Sequence, residues 1–217
     1  MQIEAALESA LVRLAEHCHV EIPLSAQEPL VRYIRLLAKW NRVYNLTAIS
    51  DPVAMVHRHL MDSLVLCRWL PSEKTGMEDI YDVLDVGSGA GLPCLPLAIV
   101  RPDLAFVSVE SNGKKTRFQQ QVVMELSLDN VRVCHQRIEQ TAAQANIVTS
   151  RAFTAPTDFL PIAATVCAPS GKIIIMLTHT DKLPTPLPTG YELQELVAVD
   201  IPGDRMPRHI AVCRQCL

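Results

Sequence analysis

No stretch of this chain approaches the roughly 18 or more apolar residues that a membrane span needs. The start, Met1-Gln2-Ile3-Glu4, lacks a basic segment followed by an apolar one, so no secretory leader is expected. Cysteine shows no paired pattern. Seven are scattered (18, 67, 94, 134, 167, 213 and 216), an odd number, which argues for reduced thiols in a cytoplasmic protein and against a disulfide framework. Cys213-Arg214-Gln215-Cys216 has no second Cys-x-x-Cys to complete a zinc site. There is no P-loop, no Ser/His/Asp order, no metal-ligand cluster, no internal repeat and no low-complexity tract. Positive charge is not in excess. The net charge is −3, so the chain as a whole does not advertise a polyanion partner.

What is present is ordinary globular material: 217 residues, 49% hydrophobic, enough for one substantial core and an extension. Basic residues gather in three places: Lys114, Lys115 and Arg117; His57-Arg58-His59; and Arg205 with Arg208. Each reads as solvated surface or as a local RNA contact.

Residues 1–70 read as helical. Leu7, Leu11, Leu14 and Cys18 form one apolar stripe. Ser25-Ala26-Gln27-Glu28 has the form of a capping box opening a second helix, whose face continues through Leu30, Ile34, Leu37, Asn41 and Tyr44. Asp51-Pro52 predicts an N-cap with proline at the first helical position, opening a third helix through about Trp69. Pro71 to about Glu78 reads as a linker into a second unit, residues 71–217. Strands are predicted there at 81–86, 104–109, 130–134, 146–150 and 171–177, and helices at about 91–100, 113–127 and 156–168. This alternation means a parallel sheet covered on both faces. Thr178–Gly190 carries three prolines and reads as a loop. Tyr191–Asp200 and Arg208–Arg214 complete seven strands as an antiparallel hairpin at the edge.

The chemistry-bearing stretch is Asp85-Val86-Gly87-Ser88-Gly89-Ala90-Gly91. A buried strand ends in an acid and turns through three glycines at alternate positions. Glycine lets the backbone turn tightly and a ligand approach closely. A dinucleotide fingerprint would be Gly-x-Gly-x-x-Gly, and here the third glycine comes one residue early. Asp85 repels a pyrophosphate but suits a ligand with an amino group, such as S-adenosylmethionine. Glu110 ends the second strand, where a carboxylate can accept from ribose hydroxyls. Beyond the third and fourth strands stand Glu139 and Arg151. Glu139, with the Ile138 backbone, reads as an adenine-edge contact or as a helix cap. Arg151 reads as a binder of a ligand carboxylate or an RNA phosphate, or as a strand-end ion pair. Lys39-Trp40-Asn41-Arg42-Val43-Tyr44-Asn45-Leu46-Thr47 is dense in groups that contact unpaired bases, although a helix C-cap at Asn45 with Trp40 in the core reads equally well. Arg58 and Asp62 have helical ion-pair spacing, and His59 alone reads as structural.

Together these stretches resemble one family, the bacterial small-subunit ribosomal RNA guanine-N7 methyltransferases, also called glucose-inhibited division protein B. The resembling residues are Lys39-Trp40-Asn41, Tyr44-Asn45-Leu46-Thr47, Arg58-His59 with Asp62-Ser63, Asp85 through Pro93 with Pro96, Arg101-Pro102 and Ser150-Arg151-Ala152-Phe153. The resemblance implies a Rossmann-like class I S-adenosylmethionine-dependent methyltransferase fold with a helical N-terminal extension. It also implies methylation of N7 of a guanine in the decoding-region loop of 16S rRNA. Cofactor contacts carried over by position fall on Gly87, Leu92, Ile138, Glu139 and Arg151, joining Asp85, Gly89, Gly91 and Glu110 from the residue reading. The RNA candidates are Lys39, Asn41, Asn45, Arg58, Lys114, Lys115, Arg117 and Arg151. A monomeric cytoplasmic enzyme acting on the small ribosomal subunit or its assembly intermediate is expected. Guanine N7 carries a lone pair and no proton, so no general base is needed. Three departures stand out: Cys94 where a glycine is expected, Thr178-His179 where relatives have Lys-Gly, and Glu110 for a commoner aspartate. A small-molecule methyltransferase and a non-enzymatic ribosome-assembly factor that binds the cofactor remain as alternatives. Methylation of a metabolite but not RNA would favour the first, and bound cofactor without turnover the second.

Overall fold

A computed structural model describes residues 2–74, 80–151, 154–202 and 208–216. Part of the expected linker, together with Ala152, Phe153 and Arg205, lies outside the described residues.

The core is a seven-stranded sheet in the order β3-β2-β1-β4-β5-β7-β6. Its strands are β1 (Ile80–Val86), β2 (Phe106–Glu110), β3 (Val131–His135), β4 (Gln144–Ser150), β5 (Cys167–Leu177), β6 (Tyr191–Val199) and β7 (Arg208–Gln215). The first five pair in parallel and β7 pairs antiparallel with both β5 and β6, as the sequence predicts. Strand order reverses between β1 and β4, which makes their carboxyl ends the switch point where open α/β sheets bind ligands.

Alternation along each strand divides the apolar side chains between two faces. Val83, Phe106, Ile147, Ile174, Ile210 and Val212 share one core with the helices α1 (Gln2–Cys18), α2 (Gln27–Tyr44), α5 (Cys94–Val100) and α6 (Gly113–Leu126). Leu84, Val86, Val107, Val148 and Ile175 share the other with α7 (Pro156–Val166). The β6–β7 hairpin brings no crossover helix, so its inner face needs another cover. The N-terminal helices supply it. Trp69 Nε1 donates to Glu195 at 2.8 Å, Cys18 Sγ to the Asp200 carbonyl, and Val199 and Ile201 join the core of α1 and α2. The Leu7, Leu11, Leu14 and Cys18 stripe is buried as predicted, each leucine stabilising by roughly 1.5–3 kcal/mol.

Three local expectations differ. The capping box does not form. Leu24–Ala26 is a 3₁₀ turn, and the Gln27 N–H donates to Leu24 O before any serine cap is needed. Tyr44 leaves the apolar stripe and is 41% exposed, because α2 outlasts the core beyond Asn41. The third helix starts as expected, with the Asp51 side chain accepting from Ala54 N and Pro52 at its head. It is not uniform, however. α3 (Pro52–Met55) passes into a π-helical stretch (Val56–Met61), then α4 (Asp62–Leu64) and 3₁₀ turns (Val65–Trp69).

Candidate active site

The glycine turn is fixed from three sides. Gly87, Gly89 and Gly91 all take positive φ (65°, 58° and 80°), a region where only glycine is unstrained. A Cβ at Gly91 would also collide with the Leu95 side chain. Gly89 N donates to Glu110 Oε2 at 2.8 Å, and Gln119 Nε2 donates to Gly89 O at 2.8 Å. From the N-terminal extension, the buried Tyr33 hydroxyl donates to Ala90 O at 2.9 Å. Beneath the turn, Ser88, Ser108 and Gln119 form a buried hydrogen-bonded network.

Asp85 shares the Val83 face of β1 and is fully buried. Its Oδ2 accepts from Cys94 N at 3.2 Å, and its Oδ1 has no partner. Burial pushes the carboxyl well above the usual carboxylate range. On the neighbouring strand Thr149 pairs with Asp85, and the next residue, Ser150, also has a buried hydroxyl oxygen without a partner. Ser150 alternates to the other face of the sheet and lines a larger cavity, so Asp85 Oδ1 alone is the orphaned acceptor on this face, and it suits a ligand that brings a donor, as an ammonium does.

Two cavities flank this point. The first, about 290 Å³, is lined by Gly87, Glu110, Lys115, Ile138 and Glu139, with Ser111, Gln136 and Arg137. Val86, Val109 and Ile138 give it an apolar floor and Glu110 a carboxylate, the surroundings that an adenosine needs. The second, about 740 Å³, lies over the ends of β4 and β5. Arg58, Arg151, Lys182 and Arg208 line it against one carboxylate, Asp62, with Phe159 and Ile175 as apolar walls.

Arg151 organises the second cavity. It pairs with Asp62 at 3.6 Å, donates to Arg58 O at 3.2 Å and approaches His59 Nδ1 at 3.3 Å. Asp62 pairs also with Arg208 at 3.0 Å. The expected Arg58–Asp62 ion pair is absent among the described residues. The carboxylate serves two arginines brought in by β4 and β7 instead, while Arg58 is exposed on the cavity rim. Burial, then the Arg151 charge, pushes the His59 imidazole down to about 4. Thr47 Oγ1 stands 2.8 Å from His59 Nε2. Nδ1 also lies 3.1 Å from the Arg58 carbonyl, so both ring nitrogens are engaged: Nδ1 by that acceptor and the Arg151 donor, Nε2 by a hydroxyl that can play either part.

The family described as GidB: rRNA small subunit methyltransferase G matches residues 26–184. A curated relative from Alkalilimnicola ehrlichii, named ribosomal RNA small subunit methyltransferase G, is 39% identical over 90% of this chain and 86% of its own length. The same-named protein of Neisseria meningitidis serogroup C is 38% identical over 90% and 92%. The chain belongs to the rRNA small subunit methyltransferase G family. It is therefore a methyltransferase with S-adenosylmethionine as cofactor, and the orphaned Asp85 oxygen and the apolar-floored cavity fit that molecule. Solved structures share the fold at low identity. They include magnesium protoporphyrin IX methyltransferase from Synechocystis PCC 6803 with bound SAM (14% identity, TM-score 0.58, 89% of this chain and 99% of that one). TrmN from Thermus thermophilus (16%, 0.56, 74% and 53%) is another.

For this family member, the expected cofactor residues separate into two groups. Gly87, Glu110, Ile138 and Glu139 line the smaller cavity, and Arg151 the larger. Gly89 and Gly91 shape the turn, and Leu92 is buried, its N–H donating to Ser88 O. Among the RNA candidates, Lys39, Asn45, Arg58, Lys114 and Arg117 are exposed, and Lys115 lines the smaller cavity. Asn41 is buried. It donates to Ile49 O at 3.0 Å and accepts from Thr47 N at 2.8 Å, so it folds the chain after α2, and it lines a small hollow there. Cys94 keeps the turn intact by giving its N–H to Asp85, while its thiol packs in the core. Thr178 lines the larger cavity and accepts from Lys182 Nζ at 3.0 Å, so an ammonium reaches that loop from four residues downstream. Cys213 is buried in β7 and Cys216 exposed at its end. Sequence reading did not find Tyr33, Gln119, Arg137 or Lys182. The buried polar run His59, Asp62 and Ser63, set in an apolar stripe, was the signal that marked the second cavity.

Proposed function

We propose that this methyltransferase transfers the S-adenosylmethionine methyl group to N7 of a guanine in the decoding-region loop of 16S rRNA. The observation that carries this reading is a cationic cavity whose carboxylate and imidazole, among the described residues, are both already engaged. Asp62 is held between Arg151 and Arg208, and His59 Nδ1 meets the Arg58 carbonyl and Arg151. Guanine N7 needs no proton acceptor, because its in-plane lone pair carries no proton. When bound, the cofactor supplies an electrophilic methyl on a sulfonium. Asp85 would hold its amino-acid end, and Glu110, Ile138 and Glu139 its adenosine. The chain's own work is then alignment and exclusion of water, which at its upper range removes roughly 7–11 kcal/mol of barrier. Arg58 and Lys182 suit RNA phosphates at the rim. N7 lies in the deep, narrow major groove of A-form RNA, which favours a loop, or an incompletely assembled subunit, as the substrate. Both cavities come from one chain, so a monomer acting in the cytoplasm suffices.

The test uses unmethylated small ribosomal subunits and radiolabelled S-adenosylmethionine, followed by borohydride–aniline cleavage to map N7-methylguanine. A single cleavage in the decoding-region loop is expected. Unlabelled RNA, whether naked or assembled, would sink the proposal.

A further inference from the structure

A third hollow, of about 380 Å³, opens at the end of α2 and is lined by Arg42, Asn45, Thr47 and Ser50. Its shape follows from local structure. Asn45 takes the left-handed conformation (φ 52°) and ends the helix. The Asn41 amide, bonded to both Thr47 N and Ile49 O, folds residues 45–50 back as a wall. That wall has two sides. Ile49 lines the acceptor cavity, whereas Thr47 and Ser50 line the hollow, and Thr47 Oγ1 also contacts His59. The hollow is therefore next door to the acceptor cavity, across one turn of chain.

Its chemistry is polar and cationic. Arg42, Asn45 and Ser50 are exposed, and among the described residues their side chains take part in no hydrogen bond. Lys39 is exposed one turn back. Beside the hollow, the Tyr44 ring is exposed and rests on Trp40 at 5.2 Å between centroids, and Trp40 is braced by Phe118 at 5.7 Å. An amide and a hydroxyl for a base edge, a guanidinium for a phosphate and a braced aromatic face are the groups that hold unpaired nucleotides.

We propose that this hollow takes the unpaired nucleotide that neighbours the target guanine in the same RNA strand. This rests on reading the larger cavity as the acceptor site. Asn45 and Ser50 contact the base edge, Arg42 the phosphate, and the Tyr44 face stacks on a further base. Drawing the neighbour aside splays the strand and presents the guanine alone to the acceptor cavity.

The test compares wild type with the double variant Asn45→Gly and Arg42→Gln. Glycine keeps the left-handed C-cap unstrained, and glutamine keeps the helix. Substrates are RNA fragments containing the target guanine, either intact or carrying an abasic residue at each flanking position in turn. The variant is expected to raise the KM for RNA at least tenfold, with kcat and the KM for S-adenosylmethionine within twofold of wild type. One flanking abasic residue should impose a similar loss on wild type and little further loss on the variant. An unchanged KM for RNA, an abasic loss that adds in full to the variant's, or a parallel rise in the cofactor KM would each overturn the proposal. No methylation of any RNA by wild type would instead bring down the acceptor-site reading on which it stands.

Discussion

Asp85 is held where the ligand-free protein gains least from it. A buried carboxyl with one oxygen unmatched is costly to ionise, and burial raises its pKa well above the ordinary range. A raised folded-state pKa means that the folded chain holds the proton longer than the unfolded one. The stability linked to Asp85 is therefore fully present below the ordinary carboxylate pKa and declines as pH rises above it. Asp85→Asn keeps an acceptor for Cys94 N and removes the charge. The variant is expected to lack the decline in stability that ligand-free wild type shows as pH rises, because it has no carboxyl to ionise. It should bind S-adenosylmethionine at least tenfold more weakly. Thermal unfolding across pH and calorimetric titration check the two halves, and a variant that keeps the decline and binds equally tightly would contradict the assignment. The acid was legible in the sequence because it ends a buried strand ahead of the glycines. Its missing hydrogen bond was not, because that depends on what packs above it, including Tyr33 from a helix far away in the chain.

The strands and the crossover helices were the most legible elements. Parallel strands buried on both faces read as short apolar runs between glycine- and proline-rich turns, and all seven appear near their predicted bounds. The segment from Pro52 to Trp69 was harder. Its apolar period is helical throughout, yet it includes a π-helical stretch that carries Arg58 and His59. Hydrophobic period cannot distinguish these windings, since all of them bury the same stripe. What the altered winding accompanies is the Asp62 bridge to Arg151 and Arg208. Asp62→Ala would leave two guanidiniums, both largely shielded from solvent, without their shared partner. A loss of roughly 3 kcal/mol in unfolding free energy is expected, with kcat reduced at least tenfold. Denaturant titration and single-turnover kinetics measure these, and a variant with wild-type stability would show that the bridge contributes little.

At the scale of the whole molecule, the division at residue 70 seen in the sequence does not mark separate cores. Leu7, Leu30, Ile34 and Leu60 share one hydrophobic cluster with Val83, Ile174, Ile210 and Val212. A fragment spanning 71–217 would expose the inner face of β5, β7 and β6. It is expected to lose cooperative thermal unfolding and to bind a hydrophobic dye, whereas the full chain unfolds in a single transition. A cooperative fragment would show the methyltransferase unit to be self-sufficient. The same sharing gives the hydrogen bond from Tyr33 to Ala90 a further meaning. One part of α2 holds the glycine turn, and its end frames the hollow beside the larger cavity. Linkage between two such sites is reciprocal. If RNA takes the hollow as proposed, any coupling carried by α2 changes the affinity for RNA and the affinity for the methyl donor by one and the same factor.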